Sequence, residues 1–167
     1  MRLKISDIPD EGLELETDLP IVLQEGGSPE SAHVVISIIK SGLKILAEGS
    51  VRMQVSQSCS RCLKEMSLPV DTAFRDEYTS DEEIGKEDEQ ELTGRELDLG
   101  YYSNDELNIS EMIKEQVLLS LPMKPLCSPD CKGLCPRCGK DLNKESCRCA
   151  GKEIDPRLAP LGKLKIR

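Results

Sequence analysis

The sequence is poor in aromatic side chains and in histidine. Its 167 residues include no Trp, one Phe, three Tyr and one His. Proteins that read single-stranded RNA stack its bases on exposed aromatic rings, and this chain has few rings to expose. It also shows no Ser/His/Asp set, no phosphate-binding loop and no open metal site beside a general base, so we expect no enzyme activity.

Long apolar runs are lacking as well. The chain has no apolar stretch of the roughly 20 residues that a membrane-spanning helix needs. Its N-terminus has no apolar segment of the kind found in secretory signal peptides. We therefore expect a cytoplasmic protein without a membrane or small-molecule partner, in a compartment where thiols stay reduced and can bind metal.

The charge is negative overall but divided unevenly along the chain. The formal net charge is −9. Residues 1–122 carry 11 Lys and Arg against 26 Asp and Glu, a net −15, whereas residues 123–167 carry 11 against 5, a net +6. One zinc ion with four thiolates would still leave the second part at about +4. Such asymmetry indicates a nucleic-acid or partner surface, and we predict an acidic body at 1–122 and a basic module at 123–167.

Six of the eight cysteines lie in residues 127–149. Cys135 and Cys138 are three positions apart, a spacing that lets a tight turn aim both sulfurs at one ion. Cys147 and Cys149 fall on one face of an extended segment. These four predict a closed tetrahedral zinc site. A disulfide-bonded loop is the alternative, and the second pair departs from the usual C-x-x-C spacing.

The remaining cysteines suggest a second zinc ion. Cys59 and Cys62 again have C-x-x-C spacing, and two sulfurs need a second pair to close a tetrahedron. Cys127 and Cys131 are the pair left over, although Cys131 could instead enter the C-terminal site. A redox role for Cys59 and Cys62 is less favoured, because thioredoxin-like motifs open a helix and an extended pattern with Pro69 follows here.

The first half of the chain alternates between apolar and polar residues, as half-buried strands do. No firm assignment follows for residues 13–21. Gly49 predicts a bulge, and the first cysteine pair is expected at the tip between two strands. His33 is predicted to be a surface or edge residue, with metal binding as the alternative, while Phe74 and Tyr78 are predicted to be core. The predicted strands are 1–5, 32–40, 43–47, 51–55 and 66–78.

The second half predicts one helix. An acidic connector is expected at about 76–96, and residues 97–99 alternate like a short strand that rejoins the sheet. Asn108 and Glu111 have the spacing of a helix cap, and Pro122 ends the helix. The fold class predicted is α+β, a small antiparallel sheet covered by one amphipathic helix, with a C-terminal Cys-rich zinc-knuckle module. The predicted apolar stripe of the helix is Ile109, Met112, Ile113 and Val117, widened by Leu118, Leu119 and Leu121.

Lys and Arg side chains are spread through the basic module. Their functional interpretation is contact with RNA phosphates. The alternative for Arg61, Arg137 and Arg148, which lie between paired cysteines, is local hydrogen bonding. The predicted RNA-binding residues are Lys132, Arg137, Lys140, Lys144, Arg148, Lys152, Arg157, Lys163, Lys165 and Arg167.

Several motifs occur together in a characteristic order. They are C-S-R-C-L, L-D-L-G ahead of a helix ending L-L-S-L-P-M-K-P-L-C, C-K-G-L-C-P-R-C-G-K-D-L-N, C-R-C and I-D-P-R-L. From about residue 35 onward the chain resembles the YceD family of large ribosomal RNA subunit accumulation proteins. The resemblance implies a bacterial cytoplasmic protein, related to a plastid form, that is needed for large-subunit ribosomal RNA to accumulate. The shared C-x-R-C of the family maps onto Cys59 and Cys62, whereas the C-terminal four cysteines belong to only part of it.

Two functional hypotheses follow. The first is a non-enzymatic factor that promotes accumulation or processing of large-subunit ribosomal RNA by binding RNA or an assembly intermediate. The second is a zinc-stabilised adaptor that recruits a nuclease or a ribosomal protein without touching RNA. RNA binding through the basic module would weaken steeply with salt, and this separates the two.

Overall fold

The computed structural model describes residues 1–23, 27–81, 99–149 and Arg157. A single α-helix and seven strands are found in this part of the chain, together with a short 3-10 helix at Ile5–Asp7. The elements are β1 (Arg2–Lys4), β2 (Leu13–Ile21), β3 (Glu30–Ser41), β4 (Lys44–Ser58), β5 (Glu65–Ser80), β6 (Leu99–Tyr102), β7 (Glu106–Asn108) and α1 (Ile109–Ser120).

The described strands form two sheets. A five-stranded sheet has the order β2-β3-β4-β5-β6, and a small antiparallel pair joins β1 to β7. The predicted α+β fold, a main sheet with one helix, is confirmed for the described residues. The prediction of a purely antiparallel sheet is wrong at one edge, because β6 runs parallel to β5 from Leu99 opposite Glu77 to Tyr102 opposite Ser80.

Most predicted strands form, and β3 and β4 make the predicted hairpin with longer arms. The prediction of a bulge at Gly49 is wrong. Pairing through β4 is uninterrupted, with Gly49 opposite Ile36 on one side and Phe74 on the other. A Cβ at this position would lie 2.9 Å from the Phe74 ring and would overlap the Val35 carbonyl oxygen. Glycine is needed here because a ring and a neighbouring backbone approach closely.

One face of the large sheet is buried by α1, which contacts β1, β2 and β5. The predicted cap is confirmed: the Glu111 N–H donates to the Asn108 side-chain oxygen (3.3 Å), and the Asn108 amide donates to the Glu111 carboxylate (3.0 Å). The predicted stripe of Ile109, Met112, Ile113 and Val117 is buried, and Leu121 packs against the same core. The prediction that Leu118 and Leu119 widen this buried stripe is wrong, because these side chains are 44% and 79% exposed.

Two further predictions are corrected in part. The acidic connector does not begin at Asp76, because residues 76–80 belong to β5 and Asp76 accepts a hydrogen bond from Gln116 of α1 (2.8 Å). The rest of that segment, residues 82–96, lies outside the described residues. The short strand predicted at 97–99 is present at its last residue, where β6 begins and pairs with β5, and residues 97 and 98 lie outside the described residues.

The predicted core aromatics and the single histidine can also be placed. Phe74 and Tyr78 are buried, as predicted. His33 lies on the open face of β3, with its Nδ1 3.1 Å from Asp18 and its Nε2 3.5 Å from Glu16. It is a surface residue but not an edge residue, because β3 lies between β2 and β4. No cysteine group in the described part of the chain includes it.

Candidate metal centres

A tight turn joins β4 to β5 and carries the first cysteine pair. In this first cysteine turn, residues 59–64, the Cys59 N–H donates to the Lys64 carbonyl (2.9 Å) and the Leu63 N–H donates to the Cys59 carbonyl (3.0 Å). Leu63 has a left-handed backbone with φ 59°. Glycine adopts this conformation far more readily than leucine, because it has no Cβ.

The second cysteine turn, residues 135–140, repeats this geometry. The Cys135 N–H donates to the Lys140 carbonyl (2.8 Å), and the Gly139 N–H donates to the Cys135 carbonyl (2.9 Å). Gly139 is left-handed with φ 70°. The two turns share the sequence C-x-R-C-x-K. The chain therefore contains the same cysteine-presenting turn twice, once on the sheet and once in the basic module.

The first thiol set consists of Cys59, Cys62, Cys127 and Cys131, whose sulfurs all lie within 4.8 Å of one another. The Sγ–Sγ distances are 3.8 Å between Cys59 and Cys131 and 3.6 Å between Cys62 and Cys127. The chain after α1 brings the second pair to the sheet.

Hydrogen bonds hold that chain against the first cysteine turn. The Ser60 N–H donates to the Pro125 carbonyl (2.8 Å), and the Arg61 guanidinium donates to the Cys131 carbonyl (2.7 Å). The Arg61 bond is the local hydrogen bonding predicted from the sequence as the alternative to RNA contact. Both bonds join residues far apart in sequence, so they fix the second cysteine pair against the sheet.

The second thiol set consists of Cys135, Cys138, Cys147 and Cys149, also within 4.8 Å of one another. Its Cys135 and Cys147 sulfurs are 3.4 Å apart. All four ligating positions come from a segment of 15 residues, so this set is local, whereas the first set joins the sheet to the module. Cys131 lies with the first set, which is the partition that the spacing favoured over the competing one.

The sulfur spacing suits a tetrahedral ion. Four sulfurs at the usual zinc distance of about 2.3 Å lie about 3.8 Å from one another. A disulfide needs about 2.05 Å, and all eight cysteines are free. Each set could therefore hold one metal ion, with no position left over for a substrate.

The backbone of each cysteine turn favours a thiolate at its first cysteine. The N–H groups of Cys62 and Arg61 face the Cys59 sulfur and lower its pKa to about 6. In the second turn the pKa of Cys135 is lowered to about 6, first through the N–H of Cys138. Hydrogen bonds to the charged form of an acid stabilise that form. One sulfur in each set is thus ionised near neutral pH before any metal is bound.

Another cysteine in each set has a pKa shift in the opposite direction. Neighbouring sulfurs of Cys131 and Cys62 raise the pKa of Cys127 to about 12. The pKa of Cys149 is likewise raised to about 12, first by Cys138. Thiolates packed this closely repel one another, so four of them require a cation at the centre.

The first thiol set lies in a small apolar core of its own. Cys59 and Cys131 are buried, and the side chains of Met66, Leu126 and Leu134 pack around them. Cys138 and Cys149 of the second set are exposed. The first set is thus better shielded from water than the second.

Asn143 lies beside the first thiol set and was not predicted from the sequence. Its amide lies 3.4 Å from the Cys131 sulfur, and its side-chain oxygen accepts from the Lys132 N–H (2.8 Å). Asp141 fixes it by accepting from its backbone N–H (2.9 Å). The signal was present in the D-x-N pattern, which is typical of Asx turns.

The predicted RNA-binding residues fall into three groups. The first five, which lie between Lys132 and Arg148, are exposed on the module, and Lys140 pairs with Glu145 at 3.2 Å. Arg157 is described and exposed. Four lie outside the described residues: Lys152, Lys163, Lys165 and Arg167.

The fold and the two thiol sets define a small α+β protein built around two tetracysteine centres. Residues 47–165, well over half of the chain, match the family model described as large ribosomal RNA subunit accumulation protein YceD. The chain belongs to the YceD family, as its motifs indicated.

Curated relatives come from bacteria and from plants. An uncharacterized protein of Mycobacterium tuberculosis is 32% identical over 70% of this chain and 54% of its own length. The large ribosomal RNA subunit accumulation protein YCED homolog 1, chloroplastic, of Arabidopsis thaliana is 27% identical over 83% of this chain and 49% of its own length. The uncharacterized protein YlbN of Bacillus subtilis is 31% identical over 64% of this chain and 58% of its own length.

The chain thus spans about half the length of the curated relatives that it matches. No solved structure matches it significantly. Among the described residues, no helix has both the length and the apolar character that crossing a membrane requires.

Proposed function

We propose that this chain is a non-enzymatic factor that promotes the accumulation of large-subunit ribosomal RNA during ribosome assembly. It does so by contacting RNA, or an assembly intermediate that contains RNA, through the basic module. Membership of the YceD family supports the RNA species, since the family description and the plant relative's name both specify large ribosomal RNA accumulation.

Two structural zinc ions belong to this proposal. Thiolate sulfur is a ligand that zinc prefers over calcium or magnesium, and four sulfurs in one tetrahedron are typical of structural zinc. A closed set leaves no site for an activated water, so the metal has no hydrolytic role. Its role is to fix the module on the sheet through the first thiol set and to fold the module through the second.

The segregation of charge carries the RNA part of the proposal. A net −15 in residues 1–122 would repel a phosphate backbone, whereas the net +6 in residues 123–167 would attract it. Lys132, Arg137 and Arg148 are exposed on the module beside the thiol sets. The module therefore faces RNA, and the acidic body faces solvent or protein.

A second candidate is the zinc-stabilised adaptor that recruits a nuclease or a ribosomal protein without RNA contact. Exposed apolar side chains on and after α1 favour it: Leu119 is 79% exposed, Leu118 is 44% exposed, and Met123 is fully exposed. Side chains of this kind commonly mark protein contacts when they lie together.

A salt titration distinguishes the two candidates. An in vitro transcript of a large-subunit ribosomal RNA segment is titrated with zinc-loaded protein at several salt concentrations. We expect log K to fall linearly with log salt, and we expect the slope to flatten in a variant with Lys132→Gln and Lys144→Gln.

The matched control is Lys44→Gln, which removes the same charge at the far end of β4. β4 begins at Lys44 and ends at Ser58. At the usual rise per residue, about 45 Å therefore separate Lys44 from the first cysteine turn. An unchanged slope in the control is expected. No binding by the parent protein at low salt would overturn RNA contact and favour the adaptor.

A further inference from the structure

The two cysteine turns abut. The Leu134 N–H, just before the second turn, donates to the Arg61 carbonyl of the first (3.1 Å). Gly133 is left-handed with φ 75°, and a Cβ there would lie 2.9 Å from the Arg61 carbonyl oxygen. Only glycine satisfies both the backbone angle and this close approach. The residues directly before the second turn thus pack against the first turn, which places the two copies next to each other.

This contact brings together cations from both parts of the chain. Lys64 and Lys140 occupy the same position in the two turns, each directly after the left-handed residue, and both are exposed. Leu134, which contacts Arg61, also pairs with Asp141. Hydrogen bonds from Asn143 lower the pKa of the Asp141 carboxyl first, and the charges of Lys144 and Lys64 lower it further. Lys64 belongs to the acidic body by sequence, yet it lies within electrostatic range of the module.

The chemistry of this surface limits the RNA that it suits. Residues 103–167 contain no Phe, Tyr or Trp. Base stacking on aromatic rings is the usual way of holding single-stranded RNA, and double-helical RNA is recognised mainly through its phosphates and 2′-hydroxyls. A set of exposed lysines without neighbouring rings is suited to the second kind of target.

We propose that the two abutting cysteine turns form one composite surface that binds the phosphate backbone of double-helical RNA. Lys64 of the body and Lys140 of the module are equivalent contacts, and Lys144, which acts on the same Asp141 carboxyl as Lys64, adds a third cation. This inference rests on the proposed function, because it specifies the surface and the RNA class through which the module acts. It adds a residue of the acidic body to the RNA contact.

The test compares two RNA probes and three single variants. The probes are a perfectly paired RNA hairpin and an unpaired RNA of the same length and labelling. The variants are Lys64→Gln, Lys140→Gln and the control Lys44→Gln, each checked for zinc content and thermal unfolding so that misfolded protein is not compared.

We expect the hairpin to bind at least about tenfold more tightly than the unpaired RNA at about 0.1 M salt. Lys64→Gln and Lys140→Gln should each flatten the salt slope by somewhat less than 1, the amount expected for one lost phosphate contact, while Lys44→Gln leaves it unchanged. Both results together support the composite surface.

Three results would overturn parts of the proposal separately. If Lys64→Gln behaves like Lys44→Gln while Lys140→Gln weakens binding, the surface is confined to the module and the proposed function stands. If the unpaired RNA binds as tightly as the hairpin, the RNA class is wrong. If the parent protein binds neither RNA, the proposed function itself fails.

Discussion

The sulfurs of Cys59 and Cys131 lie 3.8 Å apart although 72 positions separate the two residues in the chain. This contact joins the turn at the end of β4 to the chain that follows α1. The second thiol set closes within a single short segment and makes no such connection. The two sets are therefore expected to respond differently when one sulfur is removed.

Removing one sulfur from each set tests this difference. We expect Cys131→Ser to lose one zinc ion and to release the module from the sheet, because a tetrahedral site missing a ligand binds metal far more weakly. Hydrogen exchange should then speed up at the backbone around Ser60, whose N–H now donates to Pro125. Cys149→Ser is the matched variant, and it should also lose one zinc ion but leave that exchange unchanged. Equal effects of both variants on Ser60 would contradict the account.

Zinc binding should release protons. Near pH 7 the thiol of Cys59, with its pKa of about 6, is already ionised in the metal-free protein, whereas Cys62 and Cys127 have raised pKa values and keep their protons. We expect at least two protons released from the first set per zinc ion, measured by calorimetry in buffers of different ionisation enthalpy. Release of no protons would show that the thiols are not the ligands.

The lowered pKa of Cys59 also sets a pH dependence for the metal-free protein. A thiol with a folded pKa below its unfolded value of about 8.5 contributes stability that is present above that value and is lost as the pH falls through about 6. Urea unfolding of chelated protein should therefore show this contribution decline between about pH 8 and pH 6. In Cys59→Ser this part of the pH dependence should be absent.

The left-handed residues of the two cysteine turns form a natural pair of test sites. Leu63 adopts φ 59° at a position where the second turn has Gly139 at φ 70°. Leu63→Gly should raise the free energy of unfolding by up to about 1 kcal/mol, because it removes the strain of a left-handed leucine. Gly139→Ala should lower it by about 1 kcal/mol for the same reason. Denaturant unfolding of zinc-loaded protein measures both, and changes of the same sign would contradict this interpretation.

Gly49 should tolerate no side chain. Gly49→Val places branched carbons against the Phe74 ring and the neighbouring strand, and we expect it to lower the free energy of unfolding by about 2 kcal/mol or more. Ser50→Val is the control, because Ser50 follows on the same strand but faces the open side of the sheet. A loss no greater than that of the control would show that the sheet relaxes around the new side chain.

Local patterns predicted much of this fold. The alternation in β3, β4 and β5 and the cap at Asn108 depend on neighbouring residues, and these predictions are confirmed. Counting predicted two sets of four cysteines, because one tetrahedral site uses four sulfurs. It left Cys131 open to either set, and the structure places it with Cys59, Cys62 and Cys127.

The errors arise where distant parts of the chain meet. Gly49 was taken for a bulge because the close approach of Phe74 comes from another strand. Leu118 and Leu119 extend the apolar pattern of α1 but face away from the sheet. The proposed contact of Lys64 was not predicted, because its turn belongs to the acidic body by sequence, although the repeated C-x-R-C-x-K is visible there.

Native mass spectrometry of the purified chain, with and without a strong chelator, tests the central claim most directly. We expect two zinc ions per chain, both lost when chelator is added. A single ion would leave one thiol set without its proposed role. A chain that carries no metal, or whose mass is lower by two hydrogens for each disulfide formed, would contradict the account.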